Sequence, residues 1–155
     1  MKIKTLRRAL YRRTRERETA MRNNSIAWFS YKRGYGSDES YGAHISKWKP
    51  TSRPLRLLDI GSEATRAELA HILFPEWPRA KCVEEARSGI FSCNEQYSGG
   101  AANLEFHRLI KPVIEAKRLD GTVIVDRSAD EECKGPTEVV LYIPKRAKLV
   151  RKVVN

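Results

Sequence analysis

Residues 135–150 read GPTEVVLYIPKRAKLV. The run Val139–Ile143 is apolar and β-branched at three positions, which predicts a buried strand. Glu138 opens it. Side chains alternate along a strand, so Glu138, Val140 and Tyr142 share one face, and Val139, Leu141 and Ile143 share the other. A carboxylate at the mouth of such a strand has two readings. It is a strand-end charge that reaches water, or a catalytic carboxylate held on a rigid element at the rim of a cleft.

Outward from this strand, the pattern alternates between strand and helix signals. TVIVD (122–126) follows the turn Asp120–Gly121 as a second β-branched strand, and KLVRKVV closes the chain as a third. Residues 101–118 carry helical spacing in Leu104, His107, Ile110 and Ile114, with Pro112 expected to break or kink the run. His107 lies on the apolar face of that helix, where a satisfied core residue is the simplest reading. Ser62 is placed to cap a helix over 63–73 that Pro75 ends, and a shorter helix is expected at 79–87. IAWFS (26–30) reads as a short strand. AHISKWK (43–49) and RPLRLLDI (53–60) read as two strands joined by a tight Pro-Thr-Ser connection, which suggests a hairpin. Residues 15–23 look helical, 34–42 form a Gly-rich turn, and LRRALYRRT (6–14) is either a basic helix or the entry to a strand at Leu10–Thr14. Strands at both ends around a helical centre predict an α+β domain.

The chain has 155 residues, 41% of them apolar and 32% charged, enough for one domain with a real core. No run approaches the ~18–20 apolar residues that span a bilayer, so no membrane span is expected. Cys82, Cys93 and Cys133 are an odd set without C-x-x-C spacing, which predicts an intracellular, reducing compartment (cytoplasm or virion) and no metal site. The formal charge of +11 is concentrated at the two ends: fourteen of the thirty Lys and Arg lie in residues 1–22 and 144–155, and the remainder carries a net of −1. The domain reading is a basic N-terminal arm at 1–9 followed by a domain at 10–155 with a basic end. Lys2, Lys4, Arg7, Arg8, Lys145, Arg146 and Lys148 are the expected contacts for an acidic partner, nucleic acid, or neighbouring subunits in a large assembly.

Three segments together resemble the ADP-ribosyltransferase fold, the split-sheet domain of poly-ADP-ribose polymerases and many bacterial toxins. Members often begin with a strand reading Leu-Tyr, then His or Arg, then Gly-Thr; here it is Leu10-Tyr11-Arg12-Arg13-Thr14. An aromatic-Phe-Ser strand and a tyrosine follow, here Trp28-Phe29-Ser30 and Tyr41-Gly42, before strands closing on Pro54-Leu55-Arg56-Leu57-Leu58-Asp59. A D-G-x-x-V strand and a strand headed by the catalytic glutamate come last, here Asp120-Gly121-Thr122-Val123-Ile124-Val125 and Glu138-Val139-Val140-Leu141-Tyr142. The resemblance spans residues 10–150 through short motifs whose order carries it. It implies a split mixed β-sheet with helices between the two sheet halves. It also implies NAD as substrate, Glu138 as the catalytic carboxylate, NAD contacts from Arg12, Trp28, Ser30 and Tyr41, and no metal.

The chemistry is coherent with those residue types. Cleavage of the nicotinamide–ribose bond develops positive charge on the sugar, which a carboxylate stabilises. An aromatic face stacks on nicotinamide, and an arginine neutralises pyrophosphate. Arg13 stands where the family has a glycine. Pro136 stands where arginine-modifying members have a second acidic or amide residue, so arginine is not the expected acceptor. The same pieces suit a second role, an inactive domain of this fold serving as a basic structural component of a virion or ribonucleoprotein.

Overall fold

Leu57 and Leu58 are adjacent in the chain, fully buried, and belong to different cores, one on each side of a central sheet. That double burial organises the fold. A computed structural model describes residues 1–14, 26–30, 44–92, 101–126 and 135–153. In chain order these form β1 (Ile3–Leu6), β2 (Leu10–Thr14), β3 (Ala27–Phe29), β4 (His44–Pro50), β5 (Leu55–Asp59), α1 (Glu63–Leu73), α2 (Arg79–Ser88), α3 (Ala101–Ala116), β6 (Gly121–Asp126), β7 (Gly135–Leu141) and β8 (Ala147–Val153). The readings at 15–23, 34–42, 93–100 and 127–134, with Tyr41, Cys93 and Cys133, lie outside the described residues.

The domain is α+β, with three helices and two sheets. The larger sheet has the order β1-β5-β6-β7-β3 and the smaller β2-β4-β8. The larger sheet is mixed: β5 and β6 run parallel, and its other pairs are antiparallel. A parallel pair needs a crossover, and α1, α2 and α3 supply it. They pack Leu69, Ala70, Cys82, Ala86, Phe106, Ile110 and Ile114 against Leu58, Val140 and Tyr142. The opposite face of the sheet offers Leu55, Leu57, Val123, Val139 and Leu141 to Leu10 and Trp48 of the small sheet, with Leu149 at the margin. The helices thus cover one outer face of the large sheet. Contrary to the arrangement expected from the sequence, the inter-sheet core is built from strand residues alone among those described.

Local chemistry explains the helix ends. Ser62 Oγ accepts from Thr65 N at 3.4 Å to cap α1, and α1 ends before Pro75. Arg66 on α1 donates to Ile60 O at 2.8 Å and to Ala86 O at 3.0 Å, tying β5, α1 and α2 together. α3 continues past Pro112 for four more residues and stops where Arg118 takes φ 54°. β6 begins on Gly121 because nothing larger fits: a Cβ there would meet Val140 O at 1.9 Å.

Two segments differ from their sequence reading. The segment 1–9, read as a basic arm, contributes β1 as an edge strand, with Lys4 opposite Leu57 and Leu6 buried. The expected hairpin between 43–49 and 53–60 does not form, since β4 pairs with β2 and β8, and β5 pairs with β1 and β6. The chain instead crosses between sheets at residues 51–54. Ser52 turns it with φ 59°, and the Arg146 guanidinium holds it, donating to the carbonyls of Thr51, Arg53 and Pro54. No helix among the described residues is long and apolar enough to cross a membrane.

Candidate active site

Glu138 sits beside a defect in its strand. In the β6–β7 ladder Ile124 pairs with Glu138, but Val125 pairs with Pro136, leaving Thr137 as an extra residue. Bulges bend a strand and re-aim the adjacent side chain, and a proline is tolerated there because no ladder donor is needed. On its other side β7 pairs with β3, with Phe29 opposite Val139. The ladder ends at that pair, and Ser30, the next residue of the chain, turns its backbone groups to the other side. It exchanges hydrogen bonds of 2.8 and 2.9 Å with Tyr11, the contact that stitches the small sheet to the large one. Tyr11 and Ser30 therefore join the two sheets one residue beyond the Phe29–Val139 pair.

Strand parity sets the faces. Glu138 shares the helix side of the large sheet with Val140, Tyr142, Ile124 and Trp28, all of which pack on the helical core. Ser30 is 1% exposed and Glu138 is half-buried. The structure thus brings Trp28, Ser30 and Glu138 onto one face at one end of the sheet. Arg12 goes elsewhere. Its alternation with Tyr11 puts it on the inter-sheet side, opposite Ser46 on β4, and its guanidinium lies 5.6 Å from the Phe29 ring centroid. Arg12 and Glu138 consequently occupy opposite faces of the junction. Tyr41 is outside the described residues.

An aromatic wall backs the Glu138 face. Trp28 meets His107 edge-on at 5.7 Å, and His107 meets Tyr142 edge-on at 5.5 Å. His107 Nδ1 and Tyr142 Oη lie 2.5 Å apart, and the ring is 3% exposed. Burial pushes its pKa down from 6.5 to about 4, so the ring is neutral at pH 7 and acts as packing with a polar handle, as its place on the apolar helix face suggested. A depressed pKa means that the unfolded chain binds more protons between pH 6.5 and about 4. His107 therefore stabilises the fold fully above pH 6.5, and that contribution is lost as pH falls through this window, by about 3 kcal/mol in all. Urea unfolding of the wild type and His107→Gln at pH 7 and pH 4.5 checks this: the variant is less stable but has the shallower pH dependence, and equal slopes would refute the assignment.

The basic residues divide. Lys2 is 56% exposed and lies 3.8 Å from Asp59, Lys4 is half-buried in β1, and Arg7, Arg8, Lys145 and Lys148 are exposed. Arg146 has a different role from the one its charge suggested. Its side chain is 11% exposed and its Nε donates to Asp120 Oδ1 at 3.1 Å. The partner, Asp120, is the residue that sequence reasoning missed. It stands in an ordinary Asp-Gly turn, and no local signal marks it as the buried acceptor for an arginine 26 residues away.

Among the described residues no group of His, Cys, Asp and Glu could hold a metal ion. An open depression of about 540 Å³ lies along α2, lined by Arg79, Ala80, Val83, Glu84, Arg87 and Ser88, and shares no residue with the Glu138 face. The chemistry favours the Glu138 face over this hollow, because the lining of the hollow includes no aromatic side chain beside its carboxylate. No protein-family model, curated protein or solved structure matches the chain.

Proposed function

We propose that the chain is an ADP-ribosyltransferase-like protein that takes NAD as substrate, cleaves its nicotinamide–ribose bond and transfers ADP-ribose to an acceptor. The observation that carries the reading is the position of Glu138: half-buried, next to a bulge, adjacent to the Val139–Phe29 pair that borders the sheet junction, and on the face that also holds Trp28 and, by strand parity, Ser30. In this reading the Glu138 carboxylate stabilises the oxocarbenium-like charge that develops on the ribose, Trp28 offers an aromatic surface to the nicotinamide, and Ser30 offers a hydroxyl on the same face. The leaving nicotinamide needs no metal, because the positively charged pyridinium departs neutral. Purified protein is expected to release nicotinamide from NAD, and Glu138→Gln to lower the rate by roughly 10²–10³ with the fold intact by circular dichroism. Equal release by the two proteins would remove Glu138 from the mechanism.

A second reading is favoured by one observation, the location of Arg12 on the far face of the junction. With the arginine that would meet the pyrophosphate turned away, the same fold suits an inactive, basic component of a large assembly. The nicotinamide assay separates the two: a well-folded wild type that releases none supports the second.

A further inference from the structure

The small sheet presents a ladder of like charges that no described residue neutralises. Parity places Leu10, Trp48 and Leu149 against the inter-sheet core, so Tyr11, Lys47, Lys49 and Lys148 belong to the outer face. The register sets Lys49 directly opposite Lys148, and runs Tyr11, Lys47 and the backbone position of Arg151 into a second row. Lys49 and Lys148 are exposed, while Tyr11 and Lys47 are half-buried. No Asp or Glu occurs in LYRRT, HISKWKP or AKLVRKV, and Lys47, Lys49 and Lys148 make no ion pair among the described residues. Like charges directly opposite one another weaken a sheet, so this pairing works against the fold of the free protein. At the other end of the same face Ile45 is 5% exposed and therefore covered, so the accessible part of the face is the end that carries Lys49 and Lys148.

We propose that this outer face of β2, β4 and β8 docks single-stranded nucleic acid. Residues two apart on a strand are separated by roughly 6.6 Å, and neighbouring strands add cations at about 4.8 Å, giving a two-dimensional grid of ammonium groups for a phosphate backbone. Tyr11 opens the Lys47 row with a ring on which a base can stack, the combination by which sheet surfaces hold single strands. Among the described residues the face carries no helix to enter a duplex groove. An acidic protein fits less well: protein interfaces centre on desolvated apolar anchors and are depleted in lysine, and this grid is the reverse. The inference stands apart from NAD cleavage, since it uses neither Trp28, Ser30 nor Glu138.

The test is fluorescence anisotropy of the full chain with labelled oligo-U, oligo-dT and a duplex of equal length, each at several salt concentrations. The wild type is expected to bind both single strands more tightly than the duplex, with the RNA and DNA arms showing whether the sugar is read. The triple variant Lys47→Ala, Lys49→Ala, Lys148→Ala should reduce the slope of log K against log[salt] by about 2, since each single-strand phosphate contact contributes ~0.7. Tyr11→Ala should weaken binding roughly 5- to 150-fold with the slope unchanged. A second triple, Arg79→Ala, Arg108→Ala, Lys117→Ala, removes the same charge from exposed positions of the helical layer and should leave the slope nearly unchanged. The sheet triple should also keep or raise the Tm, because it relieves repulsion. Equal slope losses in the two triples, tighter binding of the duplex, or no binding of single strands at low salt would each overturn the proposal.

Discussion

Replacing Asp120 with alanine lowers the unfolding free energy by about 3–5 kcal/mol, the range for breaking a buried ion pair from one side. Its carboxylate is 1% exposed and accepts from Arg146 Nε at 3.1 Å, from the backbone N of Arg56 at 2.8 Å and, at longer range, from Arg53. Without it the Arg146 guanidinium stays 11% exposed with no compensating charge, and the Arg56 amide loses its side-chain acceptor. The effect reaches three connections at once. Arg146 carries the carbonyls of the β4–β5 crossing, Asp120 itself leads into β6, and Arg146 opens onto β8. Arg53→Ala is the comparison that isolates burial. Arg53 meets the same carboxylate but is 54% exposed at 3.4 Å, so its loss costs about 1 kcal/mol or less. Urea denaturation of the two variants checks the ranking. An Asp120→Ala cost no larger than that of Arg53→Ala would show that the network does not hold the crossing.

This network also explains why parts of the sequence were legible and others not. The helix starts at 63 and 79, the β-branched run of β6 and the parity of β7 are local properties, and each is visible in a window of a few residues. The placement of Trp28 and Glu138 on one face follows from two parities plus a single strand pairing. The false hairpin at 43–60 was equally local: two strands and a Pro-Thr-Ser turn are what a hairpin requires. What decides otherwise is Arg146, 95 residues beyond Thr51 in sequence, whose place in a run of cations suggested a contact for a partner or nucleic acid. The position of Arg12 was hidden for a related reason. Its face depends on the Tyr11–Ser30 bridge between the two sheets, and a one-residue slip in that bridge would send it to the Glu138 side. Nothing in either strand states the register. Likewise the apolar stripe of α3 shows that the helix is covered, but not which face of which sheet covers it. The outer cation grid was missed because Lys47 and Lys49 lie in the nearly neutral middle of the chain and meet Lys148 only through the β4–β8 ladder.

Trp48→Ala is expected to cost about 3–5 kcal/mol, and to spend that loss unevenly across the protein. Trp48 is the largest fully buried side chain of the small sheet, 1% exposed, flanked by Leu10 on β2 and Leu149 on β8. It meets Phe29 edge-on at 6.0 Å, and its Nε1 donates to Ser46 Oγ at 2.8 Å. Alanine leaves a cavity between the sheets and a Ser46 hydroxyl, on a residue only 4% exposed, without its partner. The large sheet still has the helical core on its other face, with Leu58, Val140 and Tyr142 packed against α1–α3. Among the described residues, the inter-sheet core is the one core cluster that the small sheet joins. Hydrogen exchange in Trp48→Ala should therefore accelerate first in β2, β4 and β8, while β5, β6 and β7 stay protected until global unfolding. Trp48→Phe, which refills most of the volume but cannot donate to Ser46, should recover more than half of the loss. Uniform acceleration across both sheets would mean that they unfold as one unit. In that case the junction of Tyr11 and Ser30 would be as rigid as the core, and a cleft opening there would require unfolding the whole domain.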